Sequence, residues 1–368
     1  MTGESPDLTA CRDRQRRLLD ELKRLDADLA VLVTPENIQW LTGLRLSPQF
    51  SPVAAIDAAG EMTVVVPERR MAGVVAAADR VVGYAAQWHS TLRNDQHAAS
   101  SAALAEALGR QPRRLAVEFS CFSPWLAERF DAPRVDIEPI LYELRRRKHA
   151  DELALMRRAI DANARMYETA RATIEPGTHE LELYAQLHAA AVRELGEPLT
   201  YFGQDFQCAS RGGPPRDRAA RAGELYILDL GVGYRGYFSD NARTLAVGGN
   251  PSGDQERAWR AVVEVFDFIA SEVRPGVSCR RVFEEVQRML DRCKPWVFDH
   301  HLGHGVGLYP HEAPHLNPHW DDSFAEGDVF TAEPGLYHED LRQGLRIEQN
   351  YLVTSTGVEL LTDRKLSL

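Results

Sequence analysis

Two aspartates on the arms of a β-hairpin constrain this chain most. The segment ELYILDLGVGYRGYFSDNART, residues 224–244, places a glycine-rich centre between two strand-like runs, which is a hairpin pattern. A turn at Tyr234–Arg235 would pair Asp229 with Asp240, and their odd separation of eleven puts both side chains on one face. Facing carboxylates repel each other unless a cation lies between them, so the pattern suggests a divalent ion. A bulge, or separate turn-capping roles for the two aspartates, would also account for the pair.

A second pair of carboxylates occurs near the end of the chain. Glu333 lies near the end of one apolar run, and Glu348, fifteen residues later, lies inside the run Leu345–Val353. Because the residues around Glu348 predict a buried strand, its carboxylate needs a partner. Arg346 would share its strand face, so a simple ion pair is an alternative to a ligand site.

A histidine cluster precedes these glutamates. The segment DHHLGHGVGLYPHEAPH, residues 299–315, contains five histidines and a glycine-rich turn. Glycine allows the backbone to approach a ligand closely, and imidazole is both a common metal ligand and an acid–base group near neutral pH. A single histidine would be an ordinary surface or core residue, but five beside such a turn favour a site.

Taken together, these segments supply two aspartates, two glutamates and at least one imidazole. Four carboxylates balance the charge of two divalent ions, and oxygen ligands with one nitrogen suit Mn²⁺, Co²⁺, Fe²⁺ or Zn²⁺. We therefore expect two divalent metal ions as cofactors. Two such ions can lower the pKa of a shared water toward ~7 and polarise a carbonyl, which hydrolysis requires.

Four motifs resemble the metallopeptidases of the pita-bread fold, a family that includes prolidase, aminopeptidase P, methionine aminopeptidase and creatinase. The matching motifs are D-L-G-x-x-Y-x-G-Y-x-S-D-x-x-R-T (229–244), G-H-G-x-G-L-x-x-H-E-x-P (303–314), A-E-P-G (332–335) and G-L-R-I-E (344–348). The resemblance implies that the chain is a metallopeptidase. It also implies five metal ligands, with the second and last bridging the ions: Asp229, Asp240, His304, Glu333 and Glu348.

The resemblance also implies a reaction. We expect hydrolysis of an amide bond, most often the bond before proline in a dipeptide or short peptide, through attack by a hydroxide that bridges the two metal ions. Glu333 would relay the proton to the leaving nitrogen. His311 would hydrogen-bond the substrate, His300 would face the leaving-group side of the cleft, and Arg346 would hold a ligand carboxylate.

The first half of the chain narrows the resemblance to the prolidase, aminopeptidase P and creatinase branch. DLAVLVTPENIQWLTGL (28–44) resembles the N-terminal domain of that branch. We therefore predict an α+β protein in which an N-terminal α/β domain of creatinase type, RNase H-like, occupies residues 1–137. A linker spans 138–150, and a C-terminal pita-bread metallohydrolase domain spans 151–368.

Hydrophobic periodicity predicts the individual elements. In the first half it predicts helices at 9–26, capped by Thr9, and at 71–79 and 100–109, with strands at 28–34, 61–69 and 114–119. In the second half it predicts helices at 151–173, 179–195, 253–273 and 279–293, with strands at 225–230, 236–246, 328–333 and 346–353. The second half therefore indicates an antiparallel sheet covered by two helix pairs. The basic run Arg145–Lys148 is predicted to be a solvated helix face.

One position departs from the family pattern. Proline-specific members carry a further histidine about seventeen residues before the first ligand aspartate, and this chain has Gly212 there. The departure leaves a creatinase-like hydrolase or a lyase acting on a small polar substrate as an alternative function. The surrounding segment, residues 204–218, contains arginines that could bind an anionic group or simply be solvated: Arg211, Arg216 and Arg218. A non-catalytic binding module is a weaker alternative, because the five expected ligands are all present.

Composition limits the partners. The net charge of −11 argues against nucleic acid, and no apolar run is long enough to span a membrane. We expect a cytoplasmic protein, because the N-terminal segment lacks the apolar core of a secretory signal and the five cysteines are widely spaced. The family resemblance predicts a homodimer. The segment 36–53 is apolar for a loop, so it is either buried in its own domain or covered by a partner.

Overall fold

The computed structural model describes residues 7–363 and 366–368 and divides into two compact units, one ending at Arg145 and the other beginning at Arg146. The division falls within residues 138–150, where the sequence predicts a linker. All five cysteines are free thiols. Among the described residues, no helix is both long enough and apolar enough to cross a bilayer.

The N-terminal unit is an α/β structure. Its helices and strands are, in chain order, α1 (Leu8–Arg24), β1 (Leu29–Leu32), α2 (Pro35–Thr42), β2 (Val53–Asp57), β3 (Met62–Pro67), β4 (Arg80–Tyr84), β5 (Gln87–Trp88), β6 (Thr91–Leu92), α3 (Gln96–Leu108), β7 (Leu115–Val117), α4 (Pro124–Ala127), β8 (Arg134–Asp136) and α5 (Glu138–Arg146). Six strands form a mixed sheet in the order β4-β3-β2-β1-β7-β8. The apolar side chains of α3 and α4 pack with those of the sheet into one core.

Two predicted features of this unit are wrong. Asp7, not Thr9, caps α1, because its carboxylate accepts the backbone N–H groups of Thr9 and Ala10 at 2.9 and 3.1 Å. Residues 71–79 do not form an α-helix. A short 3₁₀ helix, Glu68–Gly73, is followed by irregular chain, since a glycine and two valines disfavour the helix there.

The apolar segment 36–53 is largely buried within the chain itself. Its first part forms α2, which begins with Pro35 and ends at Gly43 in the left-handed conformation. Trp40, Leu44 and Phe50 are buried. These side chains therefore give no support to a partner subunit, and the homodimer stays a prediction.

The C-terminal unit combines four long helices with two larger sheets. Its helices and strands are, in chain order, α6 (Ala150–Thr173), α7 (Glu180–Leu195), β9 (Tyr201–Cys208), β10 (Leu225–Tyr234), β11 (Tyr237–Ser239), β12 (Ala242–Ala246), α8 (Gly253–Glu272), α9 (Cys279–Leu290), β13 (Gly303–Gly305), β14 (Glu312–Leu316), β15 (Val329–Ala332), β16 (Gly335–Leu336), β17 (Leu345–Arg346), β18 (Gln349–Val353) and β19 (Val358–Leu360). The predicted helices and strands of the second half are all present, with shifted ends.

Each helix pair covers one sheet. Helices α6 and α7 pack on the sheet in which β10 pairs with β9 along one edge and with β11 and β12 along the other. Helices α8 and α9 pack on the five-stranded sheet, which has the order β14-β13-β15-β18-β19. The α+β architecture with a pita-bread catalytic domain is confirmed. Both sheets present polar residues on the side away from their helices, and these residues form the site.

The basic run at the junction is solvated only at Arg147, because its other three side chains are buried. Arg146 and Lys148 are buried, and Arg146 donates two hydrogen bonds to Asp328, from Nε at 2.9 Å and from Nη2 at 2.7 Å. Lys148 lies 3.2 Å from Glu312. The prediction of solvent exposure fails because the acidic partners come from residues more than 160 positions later in the chain.

The Arg146–Asp328 pair yields a stability prediction. Asp328→Asn removes the carboxylate charge that Nε and Nη2 of the buried Arg146 bind, so we expect the free energy of unfolding to fall by roughly 3–5 kcal/mol. Glu359→Gln is the matched control, because Glu359 pairs with Arg157 at 2.7 Å where both side chains are half exposed, and it should cost less than about 1 kcal/mol. Urea denaturation measures both values. Equal small losses in the two variants would contradict the assignment of a buried pair.

Candidate metal centre

The hairpin that carries the two aspartates has a different register from the predicted one. Its turn lies at Arg235–Gly236, where both residues have positive φ, 51° and 88°, as a two-residue type I′ turn requires. Asp229 therefore pairs with Ala242 rather than with Asp240. The register differs by two residues, so Asp240 remains on the same face as Asp229, one diagonal step away.

Three further predicted ligands come from the five-stranded sheet and its margin. His304 lies in β13, between two glycines whose missing side chains let neighbouring strands approach. A Cβ on Gly303 would be 2.0 Å from the carbonyl oxygen of Thr331, and one on Gly305 would be 2.0 Å from that of Ala313. Glu333 directly follows β15, and Glu348 lies between β17 and β18.

All five predicted ligands meet in one cleft. The possible ligand atoms of Asp229, Asp240 and Glu348 lie within 4.8 Å of one another, as do those of His304, Glu333 and Glu348. His304 Nε2 is 3.5 Å from Glu333 Oε1 and 3.8 Å from Asp240 Oδ2. Glu348 belongs to both groups, which is the arrangement that a bridging ligand needs.

The carboxylate groups of this cleft are buried, and several of their oxygens accept no hydrogen bond from the described residues. In the described part of the chain, no hydrogen-bond partner reaches Oδ1 of Asp229, Oδ1 of Asp240 or either oxygen of Glu348. Burial, together with the neighbouring carboxylates, raises the pKa of Asp240 and of Glu348 well above the ordinary range, and raises that of Glu333 to about 8. Unpaired buried oxygens of this kind fit hard divalent cations.

His304 is arranged as a neutral ligand. Its Nδ1–H donates to the carbonyl oxygen of Gly305 at 3.0 Å, which leaves the lone pair of Nε2 facing Glu333 and Asp240. Complete burial lowers the pKa of His304 well below its ordinary value, so the ring is uncharged at neutral pH. In metal-binding histidines, the ring nitrogen that does not bind the metal typically donates such a hydrogen bond, which fixes the tautomer.

Arg346 binds the aspartates rather than Glu348. Its Nη2 donates to Asp229 Oδ2 at 2.8 Å and also to Asp205, and its Nε donates to Asp229 Oδ2 at 3.1 Å. The alternative of a simple ion pair between Arg346 and Glu348 is therefore wrong. Glu348 keeps both oxygens for another partner, and Arg346 orients Asp229.

His300 and Tyr337 form one wall of the cleft. His300 Nδ1–H donates to the carbonyl oxygen of His301 at 2.7 Å, and its Nε2 lies 2.9 Å from the hydroxyl of Tyr337. Burial lowers the pKa of His300 to about 3. Both ring nitrogens are thus hydrogen-bonded within the protein, and His300 would contact a substrate only by giving up its bond to Tyr337.

Two further histidines line the cleft beside His304. The rings of His304 and His311 stack with centroids 3.6 Å apart, and His301 stacks on both, at 5.4 and 5.6 Å. His301 Nε2 lies 3.4 Å from Glu333 Oε1, and burial lowers the pKa of His301 to about 4. His311 is exposed at the mouth of the cleft.

In the segment around Gly212, the carboxylate of Asp205 fills the space that a side chain at position 212 would need. Gly212 and Gly213 have φ of 139° and 123°, and a Cβ on Gly212 would lie 2.2 Å from Asp205 Oδ2. Asp205 instead accepts a hydrogen bond from the backbone N–H of Gly213 at 2.5 Å and pairs with Arg346. A carboxylate therefore occupies the space beside the position of the missing histidine.

The arginines of residues 204–218 differ in their roles. Arg216 pairs with the buried Glu180, and Arg218 pairs with Glu224, both at a distance from the cleft. Arg211 lines the cleft together with Asp205. The alternative of simply solvated arginines is therefore wrong for Arg216 and Arg218, whereas Arg211 is half exposed and is the one loop arginine that borders the cleft among the described residues.

Four residues that line the cleft are not identified as site residues from the sequence. They are Gln204, Asp205, His301 and Tyr337. His301 belongs to the histidine cluster and could have been singled out from its position three residues before His304. Tyr337 and Gln204 carry no sequence signal, because long-range pairing alone brings them to the cleft.

A fold of this type, around such a cluster of carboxylates and histidine, defines a metallopeptidase. Comparison with family profiles agrees: residues 154–355 match metallopeptidase family M24, and residues 14–146 match the creatinase/prolidase N-terminal domain. The chain belongs to family M24. The resemblance inferred from the motifs is confirmed, and the family uses divalent metal ions.

Individual relatives cover nearly the whole chain. An uncharacterized peptidase of Staphylococcus aureus strain USA300 is 28% identical over 356 residues, which is 94% of this chain and 97% of the relative. The solved prolidase from Pyrococcus furiosus has a TM-score of 0.78 at 25% identity, covering 94% of this chain and 99% of its own. An Xaa-Pro dipeptidase from Bacillus anthracis shares the fold, with a TM-score of 0.81 at 23% identity and coverage of 97% and 99%.

The raised carboxyl pKa values predict how the metal-free protein responds to pH. A carboxyl group whose pKa is higher in the folded than in the unfolded state reduces stability as pH rises above its unfolded value, until its folded value is reached. For Glu333 this window runs from about pH 4.5 to about pH 8. We expect the metal-free protein to lose on the order of 5 kcal/mol across it.

Denaturation curves at pH 5 and pH 8, with EDTA or with saturating Mn²⁺, measure this effect. Mn²⁺ should abolish the loss, because cation binding requires the deprotonated carboxylates. Glu333→Gln in EDTA should show a smaller pH dependence than the unmodified protein. A metal-free protein that is equally stable at both pH values would contradict the described cluster.

Proposed function

We propose that this metallopeptidase is a dinuclear hydrolase that cleaves the bond before proline in a dipeptide or short peptide, as an Xaa-Pro dipeptidase or aminopeptidase. One observation carries the dinuclear assignment: Glu348 belongs to two groups of ligand atoms and has no other hydrogen-bond partner for its oxygens in the described chain. A buried carboxylate with this placement supports two adjacent cations. The names of the Pyrococcus and Bacillus proteins support the substrate class.

The donor set fits two divalent ions. Asp229, Asp240 and Glu348 would hold one ion, and His304, Glu333 and Glu348 the other, with Asp240 close enough to His304 to bridge as well. Such ions lower the pKa of a bound water and polarise the substrate carbonyl. Four carboxylates and one imidazole support Mn²⁺, Co²⁺, Fe²⁺ or Zn²⁺, of which Mn²⁺ is our first choice.

The chain's own groups would manage the proton and the substrate. Glu333 would accept a proton from the attacking water and deliver it to the leaving nitrogen. Its Oε1 lies in the cleft, 3.4 Å from His301 Nε2 and 3.5 Å from His304 Nε2. His311, at the mouth, would donate a hydrogen bond to the substrate carbonyl. His300 with Tyr337 would form the leaving-group wall, and Arg346 would keep Asp229 in position.

A second candidate function has its own supporting observation. Asp205 occupies the space beside Gly212, where proline-specific relatives by resemblance carry a histidine. A changed subsite next to an intact ligand set favours hydrolysis of a small amide other than a proline peptide, as in creatinase. The binding-module alternative has little support, since all five ligand side chains converge. A homodimer and a cytoplasmic location stay predictions.

Glu333→Gln tests the proposed reaction. We expect kcat/KM for Ala-Pro hydrolysis by the Mn²⁺-loaded protein to fall by about 10²–10⁴-fold, because the variant cannot transfer the proton and has lost a ligand charge. Glu326→Gln, an exposed glutamate seven residues earlier, is the matched control and should leave turnover unchanged. Metal content is measured on all three proteins.

The substrate panel distinguishes the alternatives. It contains Ala-Pro, a longer Xaa-Pro peptide, creatine and other small amides, each tested with Mn²⁺, Co²⁺ and Zn²⁺. Turnover of a small amide without turnover of any proline peptide would replace the proposal by the second candidate. A protein that stays metal-free after reconstitution and turns over nothing would favour the binding module.

A further inference from the structure

Arg211 has a place in the cleft that the proposed reaction does not use. It lies beyond the end of β9 and lines the cleft with Asp205, Tyr337 and Arg346. Its guanidinium carbon is 4.2 Å from the centroid of the Tyr337 ring, so it stacks on that ring. The hydroxyl of the same ring contacts His300 and Arg346, and Arg346 donates to Asp229, so the Tyr337 ring lies between Arg211 and the arginine that orients this predicted ligand.

The two arginines of the cleft differ in how much of their hydrogen-bonding capacity is used. Arg346 is buried and donates from all three nitrogens, to Asp229, Asp205, Tyr337 and the carbonyl oxygen of Arg211. Arg211 uses two of its five N–H groups, both on Asp299, and the described chain offers it no further hydrogen-bond acceptor. Arg211 therefore keeps donors for a ligand.

The Tyr337 ring and the carboxylate of Asp299 both contact the guanidinium of Arg211, and they position it without burying it. Both side chains of the Arg211–Asp299 pair are 48% exposed, and ion pairs with that exposure contribute little to stability. The stacked ring and the ion pair restrict the orientation of the guanidinium plane, so less conformational entropy is lost when a ligand binds. A planar fork with free donors at the rim of a cleft is suited to a carboxylate.

The charge of the cleft also favours an anionic ligand at this point. Of the carboxylates in the cleft, Asp205 pairs with Arg346, and the four predicted ligands would be balanced by two divalent ions. The positive charge of Arg211 is offset by Asp299 alone, in solvent where such pairing is weak.

We propose that Arg211 determines substrate specificity by binding a carboxylate of a small substrate. This inference rests on the proposed amide hydrolysis and adds a requirement to it. Two sources share the chemistry: the C-terminal carboxylate of a dipeptide, and the side-chain carboxylate of an acidic leaving residue. The first source makes the protein a dipeptidase, and the second makes it selective for acidic residues.

Four substrates separate the sources. Ala-Pro and its amide differ only in the C-terminal carboxylate, and Ala-Asp amide and Ala-Asn amide differ only in the side chain. The Mn²⁺-loaded wild-type protein should prefer one carboxylate-bearing member over its neutral partner by about 10- to 100-fold in kcat/KM, mainly through KM. Arg211→Gln should reduce that preference to about 2-fold or less, and Arg211→Lys should retain part of it because the charge remains.

Two control variants isolate recognition from structure. Arg221→Gln removes an exposed arginine from the same connection between β9 and β10 and should change nothing. Asp299→Asn weakens the ion pair with Arg211 but leaves the guanidinium in place, so the preference for the carboxylate-bearing substrate should persist. If Arg211→Gln lowers kcat/KM equally for the acid and its neutral partner, Arg211 has only a structural role in the cleft, and the inference is overturned.

Calorimetric titration of the same four compounds makes the test independent of turnover. Tighter binding of the carboxylate-bearing member to the wild-type protein, lost in Arg211→Gln, supports the inference even where no compound is cleaved. If no compound is cleaved but the wild-type protein still binds the carboxylate-bearing compound more tightly, the proposed function is refuted and the inference about Arg211 stands. Cleavage of Ala-Pro and its amide at equal rates, with equal binding of both pairs by the wild-type protein, refutes the inference alone.

Discussion

The repulsion among four buried carboxylates is the constraint on which the catalytic unit depends. Asp229, Asp240, Glu333 and Glu348 lie together beneath the surface, and four of their oxygens have no donor in the described chain. Such a cluster is unfavourable as four anions without counter-charge, so protons or cations must compensate it. Arg346 compensates one member only, and burial lowers the pKa of His301 and of His304, so neither ring supplies a counter-charge at neutral pH. The remaining charge calls for metal ions.

The two sheets explain how a stable fold can hold such a cluster. Each sheet has one face packed against its own helix pair, with apolar side chains filling the interface. The opposite faces can then carry polar residues, because the hydrophobic burial that stabilises the unit comes from the helix sides. Asp229 and Asp240 belong to one sheet, while His304, Glu333 and Glu348 come from the other and its margin. The cluster therefore forms only when both sheets are folded.

Sequence patterns predict the features that depend on local periodicity. They do not predict the features that depend on contacts between segments far apart in the chain. Strand alternation correctly predicts that Asp229 and Asp240 share one face, because it survives a two-residue change of register, although the turn lies at Arg235–Gly236 rather than at the predicted Tyr234–Arg235. The absence of histidine at position 212 was visible in the sequence. That Asp205 fills the neighbouring space was not, because its partner Arg346 lies 141 positions away. For the same reason the burial of the junction arginines and the site roles of Tyr337 and Gln204 could not be predicted.

The proposed dinuclear centre depends on Glu348 as a carboxylate shared by two cations, and metal stoichiometry tests that claim most directly. Titration of the metal-free protein with Mn²⁺, followed by elemental analysis and anomalous diffraction from loaded crystals, gives the number of ions and their neighbours. We predict two ions per chain, both next to Glu348, and weakened binding of both in Glu348→Gln. One ion in the wild-type protein, or two ions bound undiminished by Glu348→Gln, would contradict the account.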